Sequence, residues 1–168
     1  MTSLMGRAWK FGDGVSTDQI APGRYFHLRS NLPELAKHVL EDARADFAPN
    51  VRPGDFVVAG RNFGLGSSRE HAPVIMKMVG VSAVLARSFA RIFYRNAINI
   101  GLPAIMCDTT QIDDGDRVEV DMAIGTILNV TRGVRISFRP LPDIMGKILE
   151  EGGLVKYVQK HGDLELAK

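Results

Sequence analysis

The sequence predicts an α/β fold, and three observations support this prediction. Short apolar runs at residues 55–60, 82–87 and 102–107 have the length and composition of buried strands. Two segments with helical apolar spacing separate these runs, and a β-α-β-α-β order favours parallel strands. Further along the chain, three short strands divided by glycine-containing turns are typical of an antiparallel meander. We therefore expect a small, mostly parallel sheet flanked by helices, with a short antiparallel β-layer.

The amino-terminal third contributes one strand and one helix to this prediction. A short strand is predicted at residues 7–11, followed by a loop over residues 12–18. Residues 33–43 carry apolar side chains at the spacing of one helix face, and Pro33 suits the first helical turn. Residues 51–55 then form a turn that leads into the next strand.

The remaining elements continue the alternation of helices and strands. We expect a helix from about Ala72 to Gly80, and a second helix from Ser88 to Asn99. Ser88 is the expected N-cap of the second helix, and Gly101 lies just past its end. The carboxyl-terminal elements are strands at residues 117–122, 126–131 and 134–139 and a helix at about 142–151.

Composition and charge restrict the classes of function. The chain has 168 residues, of which 45% are hydrophobic and 24% charged, so we expect one soluble domain over residues 1–168. The formal net charge is +2 and the basic residues are dispersed, so neither nucleic acid nor a membrane is expected as a partner. We expect a cytoplasmic location, because the sequence has no run long enough to span a membrane and no signal-peptide core.

The single cysteine, Cys107, limits the cofactors that this chain could hold. One thiol cannot form an internal disulfide, and it cannot hold an iron–sulfur cluster or a structural zinc ion. Its neighbours are apolar, so we expect Cys107 to be a small core residue.

The segment of residues 64–74 is the strongest candidate for a functional site. Its two glycines permit a tight turn, and two serines, an arginine, a glutamate and a histidine follow without a break at residues 67–71. A capping box between the first serine and the glutamate is one interpretation. Pro73 argues against it, because its missing N–H would then interrupt the helix. We therefore expect the helix to begin nearer Ala72, with residues 67–69 in an exposed turn.

A serine beside an arginine at the amino terminus of a helix suits a negative charge. Such a place can bind a carboxylate or stabilise a serine alkoxide. The alkoxide is the harder task, because each unit of pKa depression needs about 1.4 kcal/mol, and one arginine in water does not supply several units. We therefore expect this loop to be one part of a larger site. Its spacing does not match a P-loop, a dinucleotide-binding turn or a hydrolase elbow.

Four stretches of the chain resemble the swivelling domain of the aconitase superfamily. They are residues 9–25, 66–71 with the sequence Gly-Ser-Ser-Arg-Glu-His, 87–103 and 152–157. Within the superfamily, the chain resembles the separately encoded small subunits of archaeal-type 3-isopropylmalate dehydratase and homoaconitase. The resemblance implies a swivelling β/β/α domain.

The resemblance also implies a hydro-lyase that is active only with a large partner subunit, as a heterodimer or heterotetramer. The partner would hold a [4Fe–4S] cluster on three cysteines, whereas this chain alone would bind no cofactor and no metal. The family reaction removes water from a hydroxy-di- or tricarboxylate and adds it back the other way round, with iron as a Lewis acid.

Individual residues take expected roles from the same resemblance. Ser67 matches the base that removes a proton from the carbon next to a carboxylate. Arg69 matches the arginine that stabilises this base and contacts a substrate carboxylate, and Asp18 matches an acidic position of the active site. A turn-capping role for Asp18 is the alternative. Thr17 and Ser68 are expected to contact substrate.

Residues 25–31 fall where the family reads the variable side chain of its substrate. Arg29 in this loop would suit an additional carboxylate, and a solvated loop charge is the alternative. His71 is expected to be a packing or hydrogen-bonding residue, and a titrating role near neutral pH is the alternative.

The resemblance therefore predicts isomerisation of 2-alkylmalates to 3-alkylmalates, as in the 3-isopropylmalate dehydratases of leucine biosynthesis. The alternatives are a homoaconitase-type, citrate-like or methylmalate dehydratase small subunit, and a non-catalytic module that binds a carboxylate or phosphate.

Overall fold

The fold of residues 3–162 is described here from a computed structural model. Seven strands form a sheet in the order β4-β3-β2-β1-β5-β6-β7. The strands are β1 (Leu4–Lys10), β2 (Phe56–Ala59), β3 (Ala83–Ala86), β4 (Ala104–Met106), β5 (Arg117–Asp121), β6 (Thr126–Asn129) and β7 (Val134–Ser137). Strands β1 to β4 pair in parallel, and β5 to β7 are antiparallel. The predicted α/β class is confirmed, and the antiparallel strands extend the parallel sheet through the pairing of β1 with β5.

The burial of each strand follows its apolar pattern. All four residues of β2 and all four of β3 are buried, as expected for parallel strands that are covered on both faces. In β5, by contrast, Val118 and Val120 are buried while the residues between and beside them are partly or fully exposed. This alternation is typical of an antiparallel strand with one face on the core.

Two apolar cores lie on the two faces of the sheet. The first contains Trp9, Phe47 and Phe93 and lies between the sheet and the helices. The second contains side chains from both edges of the sheet, including Ile105 of β4 and Ile136 of β7. Because residues from opposite edges belong to one cluster, the sheet curls around this second core.

Seven α-helices surround the sheet within the described residues. They are α1 (Thr17–Ile20), α2 (Leu32–Ala36), α3 (Phe47–Asn50), α4 (His71–Met78), α5 (Arg91–Asn99), α6 (Asp143–Glu150) and α7 (Leu154–His161). Residues 23–30 and 109–111 form 3₁₀ segments. Across residues 3–162, no helix has the length and apolar character needed to cross a membrane.

The predicted helix over residues 33–43 is wrong beyond Ala36, where α2 ends. The chain turns at Leu40, which has a φ of +55° and is fully buried together with Val39. The N–H of Leu40 donates to the carbonyl of Ile20, 3.0 Å away. Tertiary burial and this hydrogen bond therefore override the local helical spacing.

Two further predictions of local structure need correction, and one helix was missed. The predicted loop over residues 12–18 ends in helix α1, where Ser16 and Gln19 form a capping box. Helix α5 begins at Arg91 rather than at Ser88, because the Ser88 hydroxyl accepts the N–H of Asn62 and so joins two loops instead of capping the helix. The last predicted helix ends before Gly153, and helix α7, which begins after this glycine, was not predicted.

Candidate active site

The loops that follow β1, β2 and β3 are hydrogen-bonded to one another at the carboxyl edge of the parallel strands. Ser16 forms a parallel bridge with Leu65, and Phe63 forms one with Phe89. The N–H of Thr17 donates to the carbonyl of Leu65, 2.9 Å away. Because backbone bonds join them, these loops form one continuous surface on which the candidate residues lie.

The turn before α4 depends on two glycines. Gly64 has a φ of +83° and Gly66 a φ of +109°, which side chains rarely permit. A Cβ on Gly64 would lie 2.2 Å from Cγ of Phe93, so only a glycine fits there. The Gly64 N–H donates to the carbonyl of Val15 at 2.7 Å, which ties the turn to the loop after β1.

The predicted exposed turn at residues 67–69 is confirmed for Ser67 and Ser68, which are exposed, whereas the Arg69 side chain is only 22% exposed. Helix α4 begins at His71, one residue before the predicted start, and its N-cap Glu70 makes no side-chain capping bond. The capping-box interpretation is therefore not realised. Pro73 is the third residue of the helix, where a backbone N–H has no partner within the helix, so its ring is tolerated.

The structure brings Ser67 next to Thr17. Ser67 is exposed, whereas Thr17 is only 2% exposed. The Thr17 hydroxyl donates to the Ser67 carbonyl at 3.1 Å, and its oxygen lies 3.3 Å from the Ser67 Oγ. The exposed Ser67 hydroxyl is thus in contact with a second hydroxyl, that of the buried Thr17.

Arg69 and Asp18 form an ion pair beside this serine. Nη1 of Arg69 lies 2.9 Å from Oδ1 of Asp18 and donates to the carbonyl of Ala21 at 2.8 Å. The Arg69 side chain is 22% exposed and that of Asp18 63% exposed. A Cβ on Gly23 would lie 2.6 Å from the Asp18 carboxylate, so this glycine leaves room for the pair. Ser68 is exposed next to Ser67.

Arg29 lies near this group, on the 3₁₀ segment 23–30. Its guanidinium stacks on the ring of Phe26, with 4.3 Å between Cζ and the ring centre, and donates to the Phe26 carbonyl at 3.2 Å. Cζ of Arg69 lies 5.9 Å from the same ring. Phe26 therefore connects the two arginines. Phe26 was not among the predicted site residues, because an aromatic residue in a segment without apolar periodicity is a weak signal in the sequence.

His71 lies at the start of α4 against the same ring, with 6.4 Å between the ring centres of His71 and Phe26. Partial burial lowers the pKa of His71, and the positive charges of Arg69 and Arg29 lower this pKa further. The imidazole is therefore neutral at neutral pH, when the arginines beside it are charged.

The lowered pKa of His71 predicts a loss of stability in acid. The unfolded chain, with a His pKa of 6.5, binds more protons than the folded chain, so the free energy of unfolding falls as the pH drops through that value. We expect His71→Gln to show a smaller decrease in Tm than the wild type between about pH 8 and about pH 5. Thermal unfolding of both proteins at these pH values measures the difference. Equal decreases would contradict this prediction.

Cys107, the single cysteine of the sequence, lies beside the second core. Burial raises the pKa of the Cys107 thiol to about 12, and its side chain packs against the second core. Residues 3–162 contain no group of three or more His, Cys, Asp or Glu side chains arranged to hold a metal ion. With one buried thiol and no such group, these residues do not fit an iron–sulfur cluster.

Comparison with known proteins gives matches over nearly the whole chain. Residues 15–109 match the family model for the aconitase C-terminal domain. The chain is 64% identical to 3-isopropylmalate dehydratase small subunit 2 of Archaeoglobus fulgidus, over 97% of this chain and 99% of that protein. It is 57% identical to the methanogen homoaconitase small subunit of Methanothermobacter thermautotrophicus, over 94% of this chain and 91% of that protein. A crystal structure of 3-isopropylmalate dehydratase from Methanocaldococcus jannaschii superposes with a TM-score of 0.91 at 46% identity, over 96% of each chain.

Proposed function

We propose, from the premise that this chain belongs to the aconitase C-terminal domain family, that it is the small subunit of a 3-isopropylmalate dehydratase. This enzyme is a hydro-lyase that converts a 2-alkylmalate to a 3-alkylmalate by removing and re-adding water. Relatives that carry the dehydratase name align over more than nine-tenths of the chain. A cytoplasmic location and a role in leucine biosynthesis belong to the same proposal.

The observation that carries the proposal is the exposed Ser67 hydroxyl, backed by Thr17 and flanked by the Arg69–Asp18 pair. In the proposed reaction, Oγ of Ser67, as an alkoxide, takes the proton from the carbon next to a substrate carboxylate. The electron pair of that C–H bond forms the double bond, and the hydroxyl on the neighbouring carbon leaves with its electrons. The proton held by Ser67 and a hydroxide, which together make up one water, then add to the double bond in the opposite sense, so that the isomer forms and the Ser67 alkoxide is restored.

Lowering the pKa of a serine requires several favourable contacts in a site that excludes water. Lowering the serine pKa by five units requires about 7 kcal/mol of additional stabilisation of the alkoxide relative to the hydroxyl. Thr17 has one hydroxyl hydrogen, which can turn from the Ser67 carbonyl to the Ser67 oxygen as negative charge develops there. Arg69 and the amino terminus of α4 add positive potential. A partner surface that covers the exposed serine would exclude water and strengthen all three contributions.

Arg69 is proposed to bind a substrate carboxylate. Asp18 and the Ala21 carbonyl both contact Nη1, so Nη2 and Nε can donate two parallel hydrogen bonds to a carboxylate. Asp18 thereby orients the guanidinium. Thr17 and Ser68 border the same space in the proposal.

The cofactor in this proposal is a [4Fe–4S] cluster on the large subunit, which would act as a Lewis acid on the leaving hydroxyl. The small-subunit names of the relatives support a large-subunit partner. The single cysteine of this chain supports placing the cluster on that partner, because a cluster on three cysteines needs more thiols than the chain has.

A second candidate substrate is a homocitrate- or citrate-like tricarboxylate. The position of Arg29 favours it, because Arg29 and Arg69 approach the same Phe26 ring and could hold two carboxylates. The relative named as a homoaconitase small subunit supports this alternative as well.

Anaerobic reconstitution with the large subunit of the same organism tests the function. Hydration of isopropylmaleate that requires both chains is the expected result, with cis-homoaconitate as the competing substrate. If cis-homoaconitate is preferred and Arg29→Leu reverses the preference, the hypothesis of a tricarboxylate substrate replaces that of an alkylmalate. If the chains form no complex, and calorimetry shows tight 3-isopropylmalate binding by this chain alone, the anion-binding module replaces the dehydratase.

The Arg69→Lys variant tests the proposed carboxylate contact. Lysine keeps the positive charge but loses the planar fork, so we expect kcat/KM to fall by about 10- to 100-fold. Steady-state kinetics of the two-chain enzyme measure this change, and Arg135→Lys, on an exposed position of β7, is the matched control. Equal values of kcat/KM in the two variants would contradict a role for the fork.

A further inference from the structure

The 3₁₀ segment 23–30 lies beside the candidate site although none of its residues is buried. At its start, Gly23 borders the Asp18 carboxylate. Three residues further on, the Phe26 ring approaches Arg69 and His71. The position of this segment therefore determines where Phe26 and Arg29 stand relative to Arg69.

A cluster of five side chains connects this segment to the turn after α2. The ring of Tyr25 stacks on His38, with 3.7 Å between ring centres and 15° between the ring planes. Arg24 forms ion pairs with Glu41 at 2.6 Å and with Asp42 at 2.5 Å. Glu41 also lies 3.3 Å from Nδ1 of His38, so it joins the ion pairs to the aromatic stack. We call these five residues the latch.

The turn that receives the segment is itself fixed in the protein. Val39 and Leu40, which lie between His38 and Glu41, are fully buried. The N–H of Leu40 donates to the carbonyl of Ile20, the last residue of α1. Because α1 also carries Thr17 and Asp18, the latch ties the segment to the same body that carries the site.

We propose that Arg24, Tyr25 and His38 are positioning residues, which hold segment 23–30 in its place before substrate binds. The proposal rests on the proposed function, because substrate affinity is one of its readouts. If the segment were free, substrate binding would have to order it, and the apparent affinity would equal the intrinsic affinity multiplied by the fraction of molecules in which the segment is already in place.

The latch combines ion pairs of an exposed arginine with a partly buried stack, in which Tyr25 packs against the first core and His38 is 27% exposed. Arg24 is 51% exposed, and exposed ion pairs contribute little to global stability. Variants of the latch should therefore fold and assemble with the large subunit. The effect of Arg24→Ala should therefore appear in the population of the ordered segment and not in the Tm of the domain, and Tyr25→Leu keeps an apolar side chain against the first core.

Kinetics of the two-chain enzyme test the proposal with Arg24→Ala and Tyr25→Leu. If only about a tenth of the molecules keep the segment in place, KM rises about tenfold while kcat stays within about twofold. Arg24→Lys and Tyr25→Phe keep the charge and the ring, so they should restore a KM near that of the wild type. Lys37→Ala is the matched control, because it removes an exposed ion pair with Glu34 on neighbouring α2 without touching the segment.

Hydrogen exchange of the isolated chain gives a readout that does not depend on activity. The amides of residues 23–30 should exchange faster in Arg24→Ala and Tyr25→Leu than in the wild type or in Lys37→Ala. Wild-type exchange in both variants would overturn the latch, and faster exchange with an unchanged KM would overturn its positioning role. If no two-chain enzyme hydrates isopropylmaleate, the proposed function fails, while the exchange rates still decide whether the latch orders the segment.

Discussion

Replacement of Ser67 by alanine is expected to lower the kcat of the two-chain enzyme by about 10²- to 10⁴-fold, the usual contribution of a general base. The Ser67 hydroxyl is exposed, so its loss leaves the fold intact and should leave assembly with the large subunit unchanged. Because the proposed proton transfer occurs only in the transition state, kcat and kcat/KM should fall together. Steady-state kinetics at saturating large subunit measure both constants.

The control is Ser137→Ala, which removes an exposed hydroxyl at the end of β7 and should retain wild-type kinetics. Thr17→Val adds a second comparison, since valine keeps the shape of the buried threonine without its hydroxyl. If Thr17 acts through Ser67, its effect should be much smaller in the Ser67→Ala background than in the wild type. Wild-type turnover of Ser67→Ala would exclude this serine as the base.

The second large effect is on stability, where Gly64→Ala should lower the free energy of unfolding by about 3 kcal/mol or more. Two causes add at this position. The φ of +83° strains any residue with a Cβ, and that Cβ would lie 2.2 Å from Cγ of buried Phe93. For a domain of this size the change corresponds to a decrease in Tm of about 6–12 °C, measured by thermal unfolding.

Gly133→Ala separates the two causes. Gly133 also has a positive φ, +68°, but a Cβ there meets nothing within 4 Å. Only the conformational strain of about 1–2 kcal/mol then remains. In addition, Phe93→Ala should cost less in the Gly64→Ala background than in the wild type, because it removes the clash. Equal decreases in Tm for Gly64→Ala and Gly133→Ala would show that the contact with Phe93 is not the cause.

Much of the sheet and of the turn at residues 67–69 could be predicted because their signals are local. The runs that became β2 and β3 are apolar throughout, which is what burial on both faces requires. The exposed turn at residues 67–69 followed from Pro73, whose ring restricts where a helix can begin. The helix α1 carried a local signal too, since Ser16 and Gln19 have capping-box spacing.

The features that were missed arise from contacts between residues distant in the sequence. Leu40 leaves the helical pattern because its N–H bonds to Ile20 and its side chain enters the core. The approach of Phe26 to Arg69 joins positions more than forty residues apart. No periodicity or capping rule reports such distances, so the arrangement of the loops had to come from the folded structure.

The backbone bonds between the loops after β1, β2 and β3 have a consequence for how a two-chain active site would assemble. Ser16 is bridged to Leu65 and Phe63 to Phe89. We therefore expect the loops that carry Thr17, Asp18, Ser67 and Arg69 to move as one body. Their mutual distances are then set when this chain folds, and contact with a partner changes only the position of the whole group. The geometry of the complete active site would then depend on the orientation in which the two chains dock.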